Sequence, residues 1–154
     1  MRLATLPGTA TARAFWWVSA LGAPPIAFGV AAAGYTMAVG DPWRDLAAIA
    51  LWSVAEEIVF RGALQPALAR GFGRVLEPAG RSRPLTPANL TTSLLFAAFH
   101  LWHHPLAVAV GVFPVSLVYG KAQELSGRWW PAALLHLWFN LLLYAASSPP
   151  GVGR

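Results

Sequence analysis

The chain of 154 residues is 56% hydrophobic and only 11% charged, with a mean hydropathy of +0.52 and a formal net charge of +5. That balance excludes an ordinary soluble domain, in which about a quarter of residues are charged, and makes the bilayer the expected solvent. The absence of cysteine excludes disulfides and thiolate zinc sites, and in so apolar a chain the Arg residues read as topology signals rather than as a nucleic-acid footprint. A single integral membrane domain covering 1–154 is expected, all-α and polytopic, with about five transmembrane helices and no nucleic-acid partner.

Residues 1–13 form a short polar lead with Arg2 and Arg13. The apolar run Ala14–Val39 follows, long enough to cross a hydrocarbon core that takes ~20 residues, with Pro24 and Pro25 marking a kink. A cleaved signal peptide is the alternative for this run, given the Ala-x-Ala-like patch at Ala31 to Ala33, but the apolar stretch outlasts the ~7 to 15 residues of a signal core. The polar turn GDPWRD at 40–45 opens a second span, Leu46–Ala69. The loop from Arg70 to Ala88 carries Arg70, Arg74, Arg81 and Arg83 against Glu77 alone. By the positive-inside rule that loop is cytoplasmic, and the N-terminus with it.

Asn89–Trp102 reads as a short third span ended by a turn at His103, His104 and Pro105. Leu106–Gly120 returns as a fourth with a bend at Pro114, the net-positive loop KAQELSGR at 121–128 is again cytoplasmic, and Trp129–Ala146 is a fifth span before a tail with Pro149, Pro150 and Gly151. Trp16, Trp17, Trp43, Trp102, Trp129 and Trp130 lie near span ends, as in the aromatic belts of membrane proteins. An Arg-rich, Lys-poor chain fits a GC-rich bacterial genome, so a multi-pass protein of the bacterial cytoplasmic (inner) membrane is expected.

Three of these spans carry polar groups that a lipid-facing helix would not tolerate: Glu56, Glu57 and Arg61 in the second, His100 in the third, His136 and Asn140 in the fifth. Counting ~1.5 Å per residue from the span ends puts Glu56, His100 and Asn140 all near the midplane of a ~30 Å core. Groups meeting at one depth can line one cavity. Glu57 and Arg61, four apart, can pair along the helix surface, which leaves Glu56, about 100° further round, to face another neighbour. His136 and Asn140 share a face, as do Phe96 and His100. A carboxylate with an imidazole across a water suits hydrolysis, the acid taking a proton from water and returning it to a leaving amine. His136 and Asn140 could donate to the oxyanion formed when water attacks an amide.

The ordered motifs EExxxR (Glu56, Glu57, Arg61), FxxxH (Phe96, His100) and HxxxN (His136, Asn140), with the wording EEIVFRGALQ and GRWWPAALLHLWFN, resemble the CPBP intramembrane proteases. That group contains the type II CAAX prenyl endopeptidases and bacteriocin-processing and abortive-infection-type proteins. The likeness covers about Leu46 to Tyr144, with a catalytic core at about 46–146, and three motifs in register are specific where one would be weak. It implies a glutamate-type endopeptidase in which Glu56 and His100 activate water, His136 and Asn140 form the oxyanion side, and Glu57, Arg61 and Phe96 support the site. No cofactor and no metal are expected, and the partner is a membrane-anchored protein or peptide. A small bacterial member of this kind resembles processing peptidases that remove a C-terminal sorting tag with its own membrane helix.

Other readings use the same residues. Glu56, His100 and His136 have the ligand types of a His2Glu zinc centre with an open position for water, although the chain has no HExxH. A buried ion-pair cluster or interhelical hydrogen bonding in a non-catalytic scaffold or immunity factor needs no chemistry at all. A proton-relaying transporter would show internal repeats, and none is seen. His103 and His104, at an interfacial turn, need no special explanation and are left out of the site.

Overall fold

The computed structural model describes residues 10–32, 37, 40–73 and 85–147. The expected lead residue Arg2, the end of the first span, the loop charges Arg74, Glu77, Arg81 and Arg83, and the tail prolines lie outside the described residues. Among the described residues the chain is helical throughout, in five rods. They are α1 (Ala10–Ala32), α2 (Pro42–Glu57) running through a π-helical segment (Ile58–Leu64) into α3 (Gln65–Gly73), then α4 (Pro87–His100), α5 (Leu106–Ser126) and α6 (Trp130–Ser147).

The boundaries follow local chemistry. Asp41 caps α2, its carboxylate accepting from the Trp43 and Arg44 amides at 3.0 and 2.9 Å. Thr86 caps α4 by accepting from the Asn89 amide at 3.1 Å. Both caps are followed by a proline at the first helical position, where its fixed φ suits the helix and its missing N–H costs nothing. α5 runs six residues beyond the expected span end at Gly120, absorbing most of the expected loop, and stops where Gly127 takes up a left-handed backbone (φ 66°). α1 and α5 continue through Pro24, Pro25 and Pro114 without ending.

Side-chain pairs give the helix directions. α2 and α6 run antiparallel: the Tyr144 hydroxyl donates to Asp45 Oδ2 at 3.2 Å, Asn140 Nδ2 to Ser53 Oγ at 3.1 Å, and His136 Nδ1 to Glu57 Oε1 at 3.0 Å. Further along the same ladder Gly62 leaves room for the Trp129 ring. α2 with its π-helical continuation runs parallel to α5, through Arg61 to Ser116 and Gln65 Nε2 to the Gly120 carbonyl at 3.1 Å. α4 lies antiparallel to α5, with Asn89 Nδ2 donating to the Leu117 carbonyl at 3.0 Å and Thr86 Oγ1 to Glu124. α1 packs along α6, with Trp138 Nε1 on the Ala20 carbonyl at 3.2 Å and Phe15 and Trp16 against the Tyr119, Ala122 and Ala132 cluster.

The core is inverted relative to a soluble bundle. Its largest fully buried side chains include Arg61, Gln65, Glu57, Asn89 and Thr92, whereas Leu51, Trp52, Ile58, Val59, Leu94 and Leu95 face outward. Apolar side chains gain nothing by hiding from hydrocarbon, so helices associate through small and polar residues instead. Two described helices, Ala12–Ala31 within α1 and Leu106–Ser126, are long and apolar enough to cross a bilayer. With its inverted surface the chain has the character of a membrane-embedded helix bundle.

α4 and α5 are held close at Gly120, where an added Cβ would stand 1.9 Å from Asn89 Oδ1. Gly120→Ala is therefore expected to lower stability by ~1 to 3 kcal/mol, the usual cost of overpacking. Thermal unfolding in detergent measures the loss, and adding Asn89→Ala to relieve the clash should recover part of it.

Candidate active site

Ser53, Glu57, Arg61 and Gln65 recur every four residues, and all four are buried. In a pure α-helix such a row drifts around the axis. Here the chain widens into the π-helical segment Ile58–Leu64, directly after Glu57, and the row passes from partners on α6 at Ser53 and Glu57 to partners on α5 at Arg61 and Gln65. π-helical turns occur often at functional sites.

Glu57 is the hub of this row. Its Oε1 accepts from Arg61 Nη1 at 3.0 Å and from His136 Nδ1 at 3.0 Å. Arg61 turns its other terminal nitrogen onto the Ser116 carbonyl at 2.9 Å and the Ser116 hydroxyl. Its guanidinium carbon lies 4.5 Å from the centre of the Phe96 ring, which gives a buried cation a polarisable floor. Phe96 is thus wedged among Arg61, Phe60 at 5.0 Å and His100 at 4.7 Å, ring centre to ring centre. The expected pairing of Glu57 with Arg61 is present at 0% side-chain exposure for both.

Glu56 points elsewhere. Its side chain is 18% exposed and its Oε2 lies 3.8 Å from His136 Nε2. With Nδ1–H of His136 given to Glu57, that second nitrogen faces Glu56. The His136 ring is stacked on Tyr119, centres 4.9 Å apart and planes 21° apart, so its orientation is fixed from three sides. His100 places Nδ1 2.9 Å from the Phe96 carbonyl. A carbonyl can only accept, so Nδ1 carries the hydrogen and Nε2 is left as an acceptor.

Glu56, His100, His136 and Asn140 line one cavity of about 760 Å³, together with Phe96, Ser53 and Tyr119. Glu57 and Arg61 lie behind its wall. His103 and His104, left out on sequence grounds, also line it, and His104 stacks on His100 with ring centres 5.7 Å apart. The reason lies in the length of α4. Fourteen residues give a rod of only ~21 Å, so the turn after it comes early enough to lie beside the cavity. Ser53, Ser116 and Tyr119 were also missed. Ser53 had a signal, since it continues the four-residue row upstream of Glu57, whereas Ser116 and Tyr119 had none short of knowing how α5 packs. Among the described residues no three His, Asp or Glu side chains are grouped as a metal site would need.

Removing one partner of a buried ion pair strands the other, which typically costs ~3 to 5 kcal/mol. Arg61→Met should therefore unfold the bundle at markedly lower temperature or prevent its accumulation. Glu57→Gln together with Arg61→Met, which removes both halves of the ion pair, should recover most of that stability. Detergent-solubilised melting curves of the two variants provide the comparison.

Comparison with known proteins adds a family. The model for the type II CAAX prenyl endopeptidase Rce1-like family matches residues 38–142, which spans α2 to α6 and every group just described. No curated protein and no solved structure matches the chain. With its matched region covering roughly two-thirds of the sequence and its polar core set in membrane-compatible helices, the chain belongs to the Rce1-like family of CAAX-type intramembrane proteases.

Proposed function

We propose that the protein is a glutamate-type intramembrane endopeptidase that hydrolyses a peptide bond in a membrane-anchored protein or peptide. The observation that carries this reading is the division of labour between two adjacent acids. Glu57 is fully buried and bound to Arg61 and His136, whereas Glu56 is left on the cavity wall, partly exposed, and among the described residues no Lys or Arg pairs with it. A purely structural cluster would need one carboxylate for one guanidinium, and a second in the membrane interior is costly to keep.

In this reading water sits between the Glu56 carboxylate and the free Nε2 of His100. As the water oxygen bonds to the scissile carbonyl carbon, its proton passes to Glu56 and the carbonyl oxygen takes the negative charge. Asn140 has two amide hydrogens, of which Ser53 occupies one, so the other is available to that oxyanion. Collapse of the intermediate breaks the C–N bond as Glu56 returns the proton to the departing nitrogen, leaving a carboxyl and an amine terminus. Two carboxylates and one guanidinium leave the cluster one positive charge short of neutrality. Helical substrates hide their amides in hydrogen bonds, so the scissile segment must be extended in the cavity. A membrane protein with a C-terminal sorting tag fits that requirement.

Glu56→Gln, nearly isosteric, should reduce cleavage of co-expressed candidate membrane substrates by ~10² to 10⁴-fold, the usual contribution of a general base, at unchanged accumulation and melting temperature. A strong chelator should leave the wild type active. Cleavage by the Gln variant at wild-type rate would remove Glu56 from the reaction, and chelator inhibition reversed by zinc would move the site to metal chemistry.

A further inference from the structure

The cavity belongs to one end of the bundle only. From α2 it takes Asp45, Ala48, Ile49, Trp52, Ser53 and Glu56; from α5, residues between Ala107 and Tyr119; from α6, residues between His136 and Tyr144. No lining residue lies on the π-helical segment or on α3. Given the helix directions established above, these run from mid-bundle at Glu56, His136 and Tyr119 to the end that holds the starts of α2 and α5 and the ends of α4 and α6. Helices α2, α4 and α5 converge in the other half, through the π-helical segment and α3. There Gln65 on the Gly120 carbonyl, Asn89 on the Leu117 carbonyl and Thr86 on Glu124 form a buried floor. At the opposite end His103, His104 and Ala107 are exposed while lining the cavity. The short α4 leaves irregular backbone at membrane depth, which is tolerated only against protein or water.

Charge distinguishes the two ends. Arg13 at the start of α1, Arg70 near the end of α3, and Lys121 and Arg128 around the end of α5 all belong to the closed end, and the sequence between α3 and α4 adds Arg74, Arg81 and Arg83. The open end has Arg44 beside Asp41 and Asp45, and the sequence after α6 adds Arg154. The positive-inside rule makes the closed, basic end cytoplasmic.

We infer that the catalytic cavity opens to the non-cytoplasmic side of the membrane, so that its substrate is a translocated or outwardly anchored polypeptide whose scissile segment enters past the α4–α5 turn. The substrate class rests on the protease reading, but the position of the mouth does not. A cytoplasmic tail would meet the polar layer of Gln65, Asn89 and Glu124, of which Gln65 and Asn89 are buried.

The cysteine-free chain allows a direct test with single cysteines and a membrane-impermeant maleimide. Gly111→Cys reports on the cavity and Gly71→Cys on the closed end, and at neither position would a Cβ meet anything within 4 Å. In intact cells or right-side-out vesicles, Gly111→Cys should label at least tenfold faster than Gly71→Cys, and in inside-out vesicles the order should reverse. Labelling of Gly111→Cys only from inside-out vesicles, equally from both faces, or from neither while Gly71→Cys reacts, would each overturn the inference. The readout needs no catalysis, so a chain that proved inactive would still report where its cavity opens. An active one should also lose cleavage when Gly111→Cys is blocked from outside.

Discussion

An acid buried where neither water nor lipid can solvate it must be solvated by the protein itself, and the neighbourhood of Glu57 is arranged to do so. One oxygen of that carboxylate receives both Arg61 and His136, and each donor is held in turn, Arg61 by Ser116 and the Phe96 ring, His136 by the Tyr119 ring. Four helical rods are thereby tied to one anion. The π-helical widening lies at the point where the row passes from partners on α6 to partners on α5, between Glu57 and Arg61. Assembly of such a centre is demanding: each member is tolerable in the low-dielectric interior only when the others are in place.

The cost of that arrangement explains why it sits beside a second acid instead of serving packing alone. Buried ion pairs contribute little net stability compared with apolar packing of the same shape, so a bundle selected for stability has no use for one here. What the pair does supply is orientation. Fixing His136 Nδ1 on Glu57 decides which nitrogen faces Glu56, and fixing Phe96 beneath Arg61 positions the carbonyl that decides the tautomer of His100. The charges behind the wall set the hydrogen-bonding character of the groups on it.

Much of this was legible in the sequence. The paired acids, the Arg four residues on, and the His and Asn four apart each declare a shared face, because helical periodicity is a property of the backbone and is independent of what the helix packs against. The five rods were legible for the same reason, since apolar runs of span length leave the backbone no alternative to helix in lipid. Their ends were less so. α5 outran its apolar stretch because helix termination depends on Gly127 and its left-handed φ, not on where hydrophobicity stops. The π-helical segment left no mark, since IVFRGAL has no residue that an α-helix would refuse. His103 and His104 were left out of the site because a turn after a short span needs no special explanation, and only the folded chain brings that turn onto the cavity.

The early turn after α4 and the polar floor are opposite solutions to one problem. Wherever a backbone or polar side chain is exposed at membrane depth, it must find either a protein partner or water. At the basic end the protein supplies partners: side-chain amides and a hydroxyl reach across to carbonyls and a carboxylate, and the glycine at 120 lets α4 come close enough for Asn89 to do so. At the other end α4 stops early, the rods separate, and Glu56, His100 and Asn140 are left on an opening. A hydrolase in a membrane needs this asymmetry, because water must reach the bond while the polar core stays closed to leakage across the bilayer. In so small a chain the difference is made by two features, the length of α4 and the glycine that draws it onto α5.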